Sequence, residues 1–127
     1  MYKNETTRAK ELNRIFLNGR FKIEDLIEPE YPIIAIHSDS TIFYGNDAFC
    51  ELSQYSHDEI IGLNAWRLFS PESTEIITQK LKENSTDPYQ VIAITKDGTA
   101  VKIEIKGKNL VFGNDKARAV LARIISS

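Results

Sequence analysis

Three β-type runs close the chain, at residues 89–95, 99–106 and 117–125, and the breaks between them limit the folds open to it. Lys96-Asp97-Gly98 separates the first two. Asp-Gly between such runs is a strong hairpin signal, because both residue types tolerate the backbone of a tight turn. Phe112-Gly113-Asn114-Asp115 separates the second run from the third. Val101, Ile103 and Ile105 alternate with Lys102, Glu104 and Lys106, the period-two pattern of a sheet with one dry and one wet face. The last run reads differently. Apart from Arg123, it is apolar at both parities, with Val120, Ala122 and Ile124 on one side and Ala119, Leu121 and Ile125 on the other. If Val91 and Ala93 face the core, Ile92 and Ile94 point the other way and form a patch that wants covering. The sheet is antiparallel, and it needs apolar cover on both faces.

Two further strands come earlier, at residues 33–37 and 41–44, joined tightly through Ser38-Asp39-Ser40. Between residues 46 and 85 the pattern turns helical. Asn46 stands at an N-cap ahead of Ala48, Phe49 and Leu52. Ser56 and Glu59 have capping-box spacing before Ile60 and Ile61, and Gly62 ends that turn. Ser70-Pro71-Glu72 opens a longer helix striped by Ile76, Ile77 and Leu81, which frays at Asn84-Ser85. At the start, Ala9, Leu12, Ile15 and Phe16 recur at helical spacing over residues 5–17, and Asn18-Gly19 is the stop. Phe21, Ile23, Leu26 and Ile27 add a short turn before Pro29 and Pro32. Residues 1–30 therefore read as an N-terminal helix and hinge, and 31–127 as the main domain. The order is helix, two strands, several short helices, three strands: an α+β chain.

Composition narrows the function. A chain of 127 residues buries enough surface to fold without disulfides or a metal staple. A net charge of -2, with no basic block, argues against nucleic acid or an anionic membrane as partner. Cys50 is the only cysteine, so no intrachain disulfide forms and a reducing, cytoplasmic setting is expected. No apolar run approaches the ~20 residues of a membrane span, and Met1-Tyr2-Lys3-Asn4-Glu5 does not read as a signal peptide.

Four local strings, in order on the right elements, resemble the PAS family. Tyr44-Gly45-Asn46-Asp47-Ala48-Phe49 is similar to its strand-to-helix crossing, and Tyr55-Ser56-His57-Asp58-Glu59-Ile60-Ile61-Gly62 to its "YS-x-x-E" run. Trp66-Arg67-Leu68-Phe69-Ser70-Pro71-Glu72 resembles the segment before the long helix, and Lys96-Asp97-Gly98-Thr99 the hairpin between long strands. The resemblance covers residues 31–126. Gln54 departs from the family's usual glycine, which affects one turn. The resemblance implies a five-stranded antiparallel sheet in the order 2-1-5-4-3, with short helices on one face and a ligand pocket beneath them; the dry outer face and the apolar stripe of the N-terminal helix put that helix on the other face. It also implies a sensory module that passes a change to an output domain or partner. Because the chain stops just after the last strand, an excised sensor domain of a bacterial signalling protein is expected. A ligand-free dimerisation or interaction module is the alternative.

The residues bear on the chemistry case by case. Light-sensing members of the family carry a cysteine in an "N-C-R-F-L" string, and here Ala65 stands at that place, so a covalent flavin adduct is not expected. Haem members set an axial histidine on the long helix, and residues 72–83 contain none. His37 and His57 read as surface or hydrogen-bonded residues, and no cysteine–histidine cluster has metal spacing. Cys50, beside Phe49 and Leu52, reads as a small buried side chain, and no acid–base pair suggests an enzyme. The candidate pocket residues are Ile36, Phe43, Phe49, Leu52, Tyr55, Asn64, Trp66, Arg67, Val91 and Ile103, which either line a cavity or simply fill the core. Asn64 and Arg67 would sit at its mouth. Leu12, Ile15, Phe16, Ile92, Ile94 and Leu121 are the expected interface, in the same subunit or between two copies of a homodimer.

Overall fold

A computed structural model describes residues 5–19, 23–112 and 115–126. Phe21 and the Gly113-Asn114 pair of the last hairpin lie outside the described residues. The elements run α1 (Glu5–Asn18), a 3₁₀ turn (Ile23–Asp25), β1 (Ile33–Ser38), β2 (Thr41–Gly45), α2 (Asp47–Ser53) and α3 (His57–Ile60). A second 3₁₀ turn (Ala65–Leu68), α4 (Pro71–Lys82), β3 (Tyr89–Ile94), β4 (Ala100–Phe112) and β5 (Asp115–Ser126) complete the chain. The strands form one antiparallel sheet in the order β2-β1-β5-β4-β3. β4 and β5 run several residues further than the sequence pattern marks, into the hairpin that joins them.

Local chemistry explains the helix starts. The Asn46 side chain accepts from the Phe49 amide at 3.0 Å and from the Ile34 amide at 3.1 Å, so one residue caps α2 and ties it to β1. Ser56 and Glu59 complete a reciprocal capping box at α3. Ser70 caps α4 with Pro71 in its first turn. Two left-handed positions stop elements: Gln54 closes α2 at φ 69° and Gly62 follows α3 at φ 97°. Gln54 thus occupies a conformation that suits glycine, and its side chain contributes by accepting from the Asp97 amide at 3.2 Å.

Two apolar clusters sandwich the sheet. On the outer face Ala9, Leu12 and Phe16 of α1 pack with Ile34, Ile36, Phe43, Leu110, Ala119 and Leu121. Polar contacts pin the same helix: Asn13 donates to the Phe43 carbonyl at 2.7 Å, and Arg8 donates to the Ser38 hydroxyl at 2.7 Å. On the inner face Phe49, Ile60, Leu68 and Ile77 of the helical layer pack with Ile33, Ala35, Ile42, Val91, Ala93, Ile103, Ile105 and Ala122. Both faces of β1, and of β5 from Ala117 to Ala122, are dry, which is why their sequence shows no alternation there, whereas Arg123, Ile124 and Ile125 at the end of β5 are exposed.

The wet face of β4 is partly roofed. Tyr31, itself buried, donates to Glu104 at 2.6 Å, with the Lys106 and Arg123 cations over its ring. Glu28 pairs with Lys106 and Lys108, and Arg123 with Glu104. The stretch around Glu28 and Tyr31 therefore seals the outer face beside α1 with a salt-bridge network, added to the apolar contacts of Leu26 and Tyr31.

Candidate functional site

Antiparallel register decides which side chains share the inner face. Ile33, Ala35 and His37 of β1 face Ala122, Val120 and Arg118 of β5. Ile105 and Gly107 of β4 continue the same surface, opposite Ala122 and Val120. The helical layer does not close fully over it. Two adjoining cavities remain, about 60 Å³ and 70 Å³ in volume, and both are bounded by His37, Ala65, Phe69, Ile105 and Val120. The first is almost wholly apolar and extends over Phe49, Leu52, Ala93 and Ile103. The second runs under Trp66, Ile77 and Tyr89 to Gly107 and Arg118. A wider, polar cleft of about 550 Å³ opens beyond Arg118, between the end of α4 and β4.

His37 is the unusual residue of this surface. Its Nδ1 is buried and has no hydrogen-bond partner. Burial first, and the nearby Arg118 cation second, push its pKa down to about 4, against a smaller opposite pull from Asp39. The ring is thus neutral at physiological pH. An unsatisfied buried polar atom costs about 1–3 kcal/mol, so the site holds an open demand for one hydrogen bond.

Arg118 lies flat along β4 because residue 107 has no side chain. A Cβ built there would stand 2.2 Å from a guanidinium nitrogen. Asn109 accepts from Arg118 Nη1 at 3.0 Å, and among the described residues no carboxylate pairs with it. Neither of the two inner cavities nor the outer cleft is lined by an aspartate or glutamate.

The structure brings together Phe49, Leu52, Trp66 and Ile103 of the expected pocket residues, all on cavity walls. Val91 is buried in the inner cluster, and Tyr55 packs against that cluster with Lys96 over its ring. Ile36 and Phe43 belong instead to the outer cluster beneath α1. The expectation had the parity of β1 reversed: Ile33, Ala35 and His37 point inward, and a bulge between Ile36 and His37 lets Ile42 turn inward while Phe43 turns out. Asn64 and Arg67 do not form a mouth. The Asn64 side chain caps its own turn by accepting from the Trp66 amide at 2.9 Å, and Arg67 is exposed. His37, expected at a surface or hydrogen-bonded position, and Arg118, not singled out at all, supply the polar end. No alternation marks either one, since each sits in a strand buried on both sides.

At the expected interface, Leu12, Phe16 and Leu121 are buried within one chain, and Ile15 packs beside them. Ile92 and Ile94 are half-buried and lie outside that cluster. Cys50 is half-buried, with its thiol pushed up by burial and then by Asp47. His57 lies 3.0 Å from Asp47 at the surface. Among the described residues, no group of three or more His, Cys, Asp or Glu could hold a metal, and no helix is long and apolar enough to cross a membrane.

Known proteins share this architecture. A PAS domain from a two-component sensor histidine kinase superposes with a TM-score of 0.64 at 13% identity, covering 95% of this chain and 99% of that one. The PAS domain of an HTR-like protein from Haloarcula marismortui gives 0.64 at 20% identity, covering 93% and 98%. A third, from Colwellia psychrerythraea, gives 0.64 at 22% identity, covering 74% and 86%. These likenesses establish the fold. The sequence profile of the PAS domain matches residues 30–125, and the chain therefore belongs to the PAS domain family, whose members are generally sensory and signalling modules without catalysis of their own.

Proposed function

We propose that this chain is a ligand-sensing PAS module whose inner cavities take up a small molecule and whose outer face passes the change on. The observation that carries this reading is a buried, unpartnered Nδ1 on His37, a residue that borders both cavities. A site that served packing alone would place a carbon there. The pocket proposed is Phe49, Leu52, Ala65, Trp66, Phe69 and Ile103, with His37 and Arg118 at its polar end. β1 carries the coupling: its inner residues line the cavity, while Ile34 and Ile36, alternating with them, hold α1. A shift of one face of β1 is felt on the other within one residue.

In this reading residues 1–30 are the transmitting segment and 31–127 the sensor of a cytoplasmic bacterial signalling protein, working as a homodimer. Since Leu12, Phe16 and Leu121 are already buried, the second copy would meet the solvent side of α1 together with Ile92 and Ile94. The half-exposed Ile92 and Ile94 also favour a second reading, a docking module whose cavity stays empty. Native mass spectrometry of protein purified from cells separates the two. A retained small molecule that leaves on mild activation supports the sensor. A bare chain mass, with no thermal shift across a metabolite panel, supports docking.

A further inference from the structure

Taking the inner cleft as a ligand site, we propose that its ligand is a small monocarboxylate with an apolar body, the carboxylate held by Arg118 and His37 and the body lying under Trp66 and Phe69. The polar groups are few and convergent. His37 and Arg118 are register partners on neighbouring strands and face the same side. Gly107 leaves the space in which the guanidinium lies along β4. Asn109 holds one end of the fork, and the remaining donors match the planar, two-oxygen geometry of a carboxylate. A neutral imidazole adds one N–H for the second oxygen, which answers the orphaned Nδ1.

The sign of the surroundings agrees. The chain carries 18 acidic residues against 16 basic ones, yet none of the acids lines these cavities. Lys80, whose ammonium lies over the Tyr89 ring, adds positive charge at the outer cleft. Asp39 is the one acid that His37 feels, and it is exposed. Size sets the body. The two inner cavities together approach the ~150 Å³ of an apolar cavity that holds benzene, so one ring or a short aliphatic chain fits.

The test uses the full chain at pH 7.5, with Trp66, the only tryptophan, as an intrinsic reporter and titration calorimetry as the direct measure. Benzoate and hexanoate are compared with their neutral amides, benzamide and hexanamide. The expected result is that the acids bind about tenfold or more tightly than the amides, the worth of one charge-assisted contact. Arg118→Gln should bring acid and amide to within about threefold of each other. Gly107→Ala, which displaces the guanidinium without altering it, should do the same and serves if Arg118→Gln fails to fold. Equal binding of acid and amide by the unaltered chain, or acid binding unchanged in the folded variants, overturns the proposal. Amides that bind where acids do not overturn the ligand class while leaving the cleft a ligand site. If none of the four probes perturbs Trp66 or releases heat, the ligand site itself falls.

Discussion

Gly45 and His37 show how much single positions carry. Gly45 ends β2 where the chain crosses to α2, and an added Cβ would come within 2.4 Å of the Phe49 ring and 2.7 Å of the Ile60 side chain. Both neighbours are buried and have little room to yield. Gly45→Ala is expected to destabilise by about 1–3 kcal/mol, the usual cost of overpacking, read from the urea midpoint. His37 makes stability depend on pH. Its folded pKa of about 4 lies below the ordinary 6.5, so between these values the unfolded chain binds a proton that the folded chain refuses. Stability is therefore full above pH 6.5 and falls as pH drops toward 4, by on the order of 3 kcal/mol in all. Glu28, Glu59 and Glu104 are held below their ordinary 4.5, and hydroxyl donors from Thr95 and Thr99 hold Asp97 down to about 2. Their losses begin lower, which leaves the window from 6.5 to 5 to His37. Denaturation at stepped pH should show a slope there that His37→Gln removes; an unchanged slope would mean the ring is not buried as described.

Among the elements, α1 is the clearest case of sequence and structure agreeing for a stated reason. Its stripe of Ala9, Leu12 and Phe16 predicted a buried face, and the two-sided dryness of β5 predicted where that face would go. Leu12→Ala should cost about 2–4 kcal/mol, because Leu12 is 1% exposed. Leu17→Ala, at 62% exposed, should stay within about 0.5 kcal/mol. Equal effects of the two would place the helix elsewhere. The helical caps were equally legible, since Asn46, Ser56 and Ser70 each accept from the amide three residues on. The parity of β1 was not legible. Ile33-Ile34-Ala35-Ile36 is apolar throughout, so nothing local distinguishes the cavity side from the side under α1. A reversed parity puts Ile36 and Phe43 on the wrong face and makes His37 a surface or hydrogen-bonded residue, whereas its buried Nδ1 has no partner. Arg118 escaped notice for a related reason. What marks it is Gly107 on the neighbouring strand, a relation that exists only once the register of β4 and β5 is known.

For the whole molecule, α1 closes one face of the sheet and the short helices leave the other incompletely filled. That asymmetry underlies both the sensory reading and the assembly expected of it. The full chain should dimerise reversibly in sedimentation velocity, and Ile92→Glu, at a residue that borders neither inner cavity, should shift it to monomer while leaving the fold intact. A chain lacking residues 1–19 should instead self-associate without limit, because Ile34, Ile36, Phe43 and Leu121 are then uncovered. A full chain that stays monomeric at high concentration would remove the dimer but not the cavity. The central claim is that a small molecule occupies the space under Trp66, and methyl NOEs from bound benzoate test it most directly. The expected cross-peaks are to Ala93, Ile103, Ile105 and Val120 on the inner face. Cross-peaks only to Ile34, Ile36 or Leu121, or none at saturating benzoate and benzamide, would contradict it.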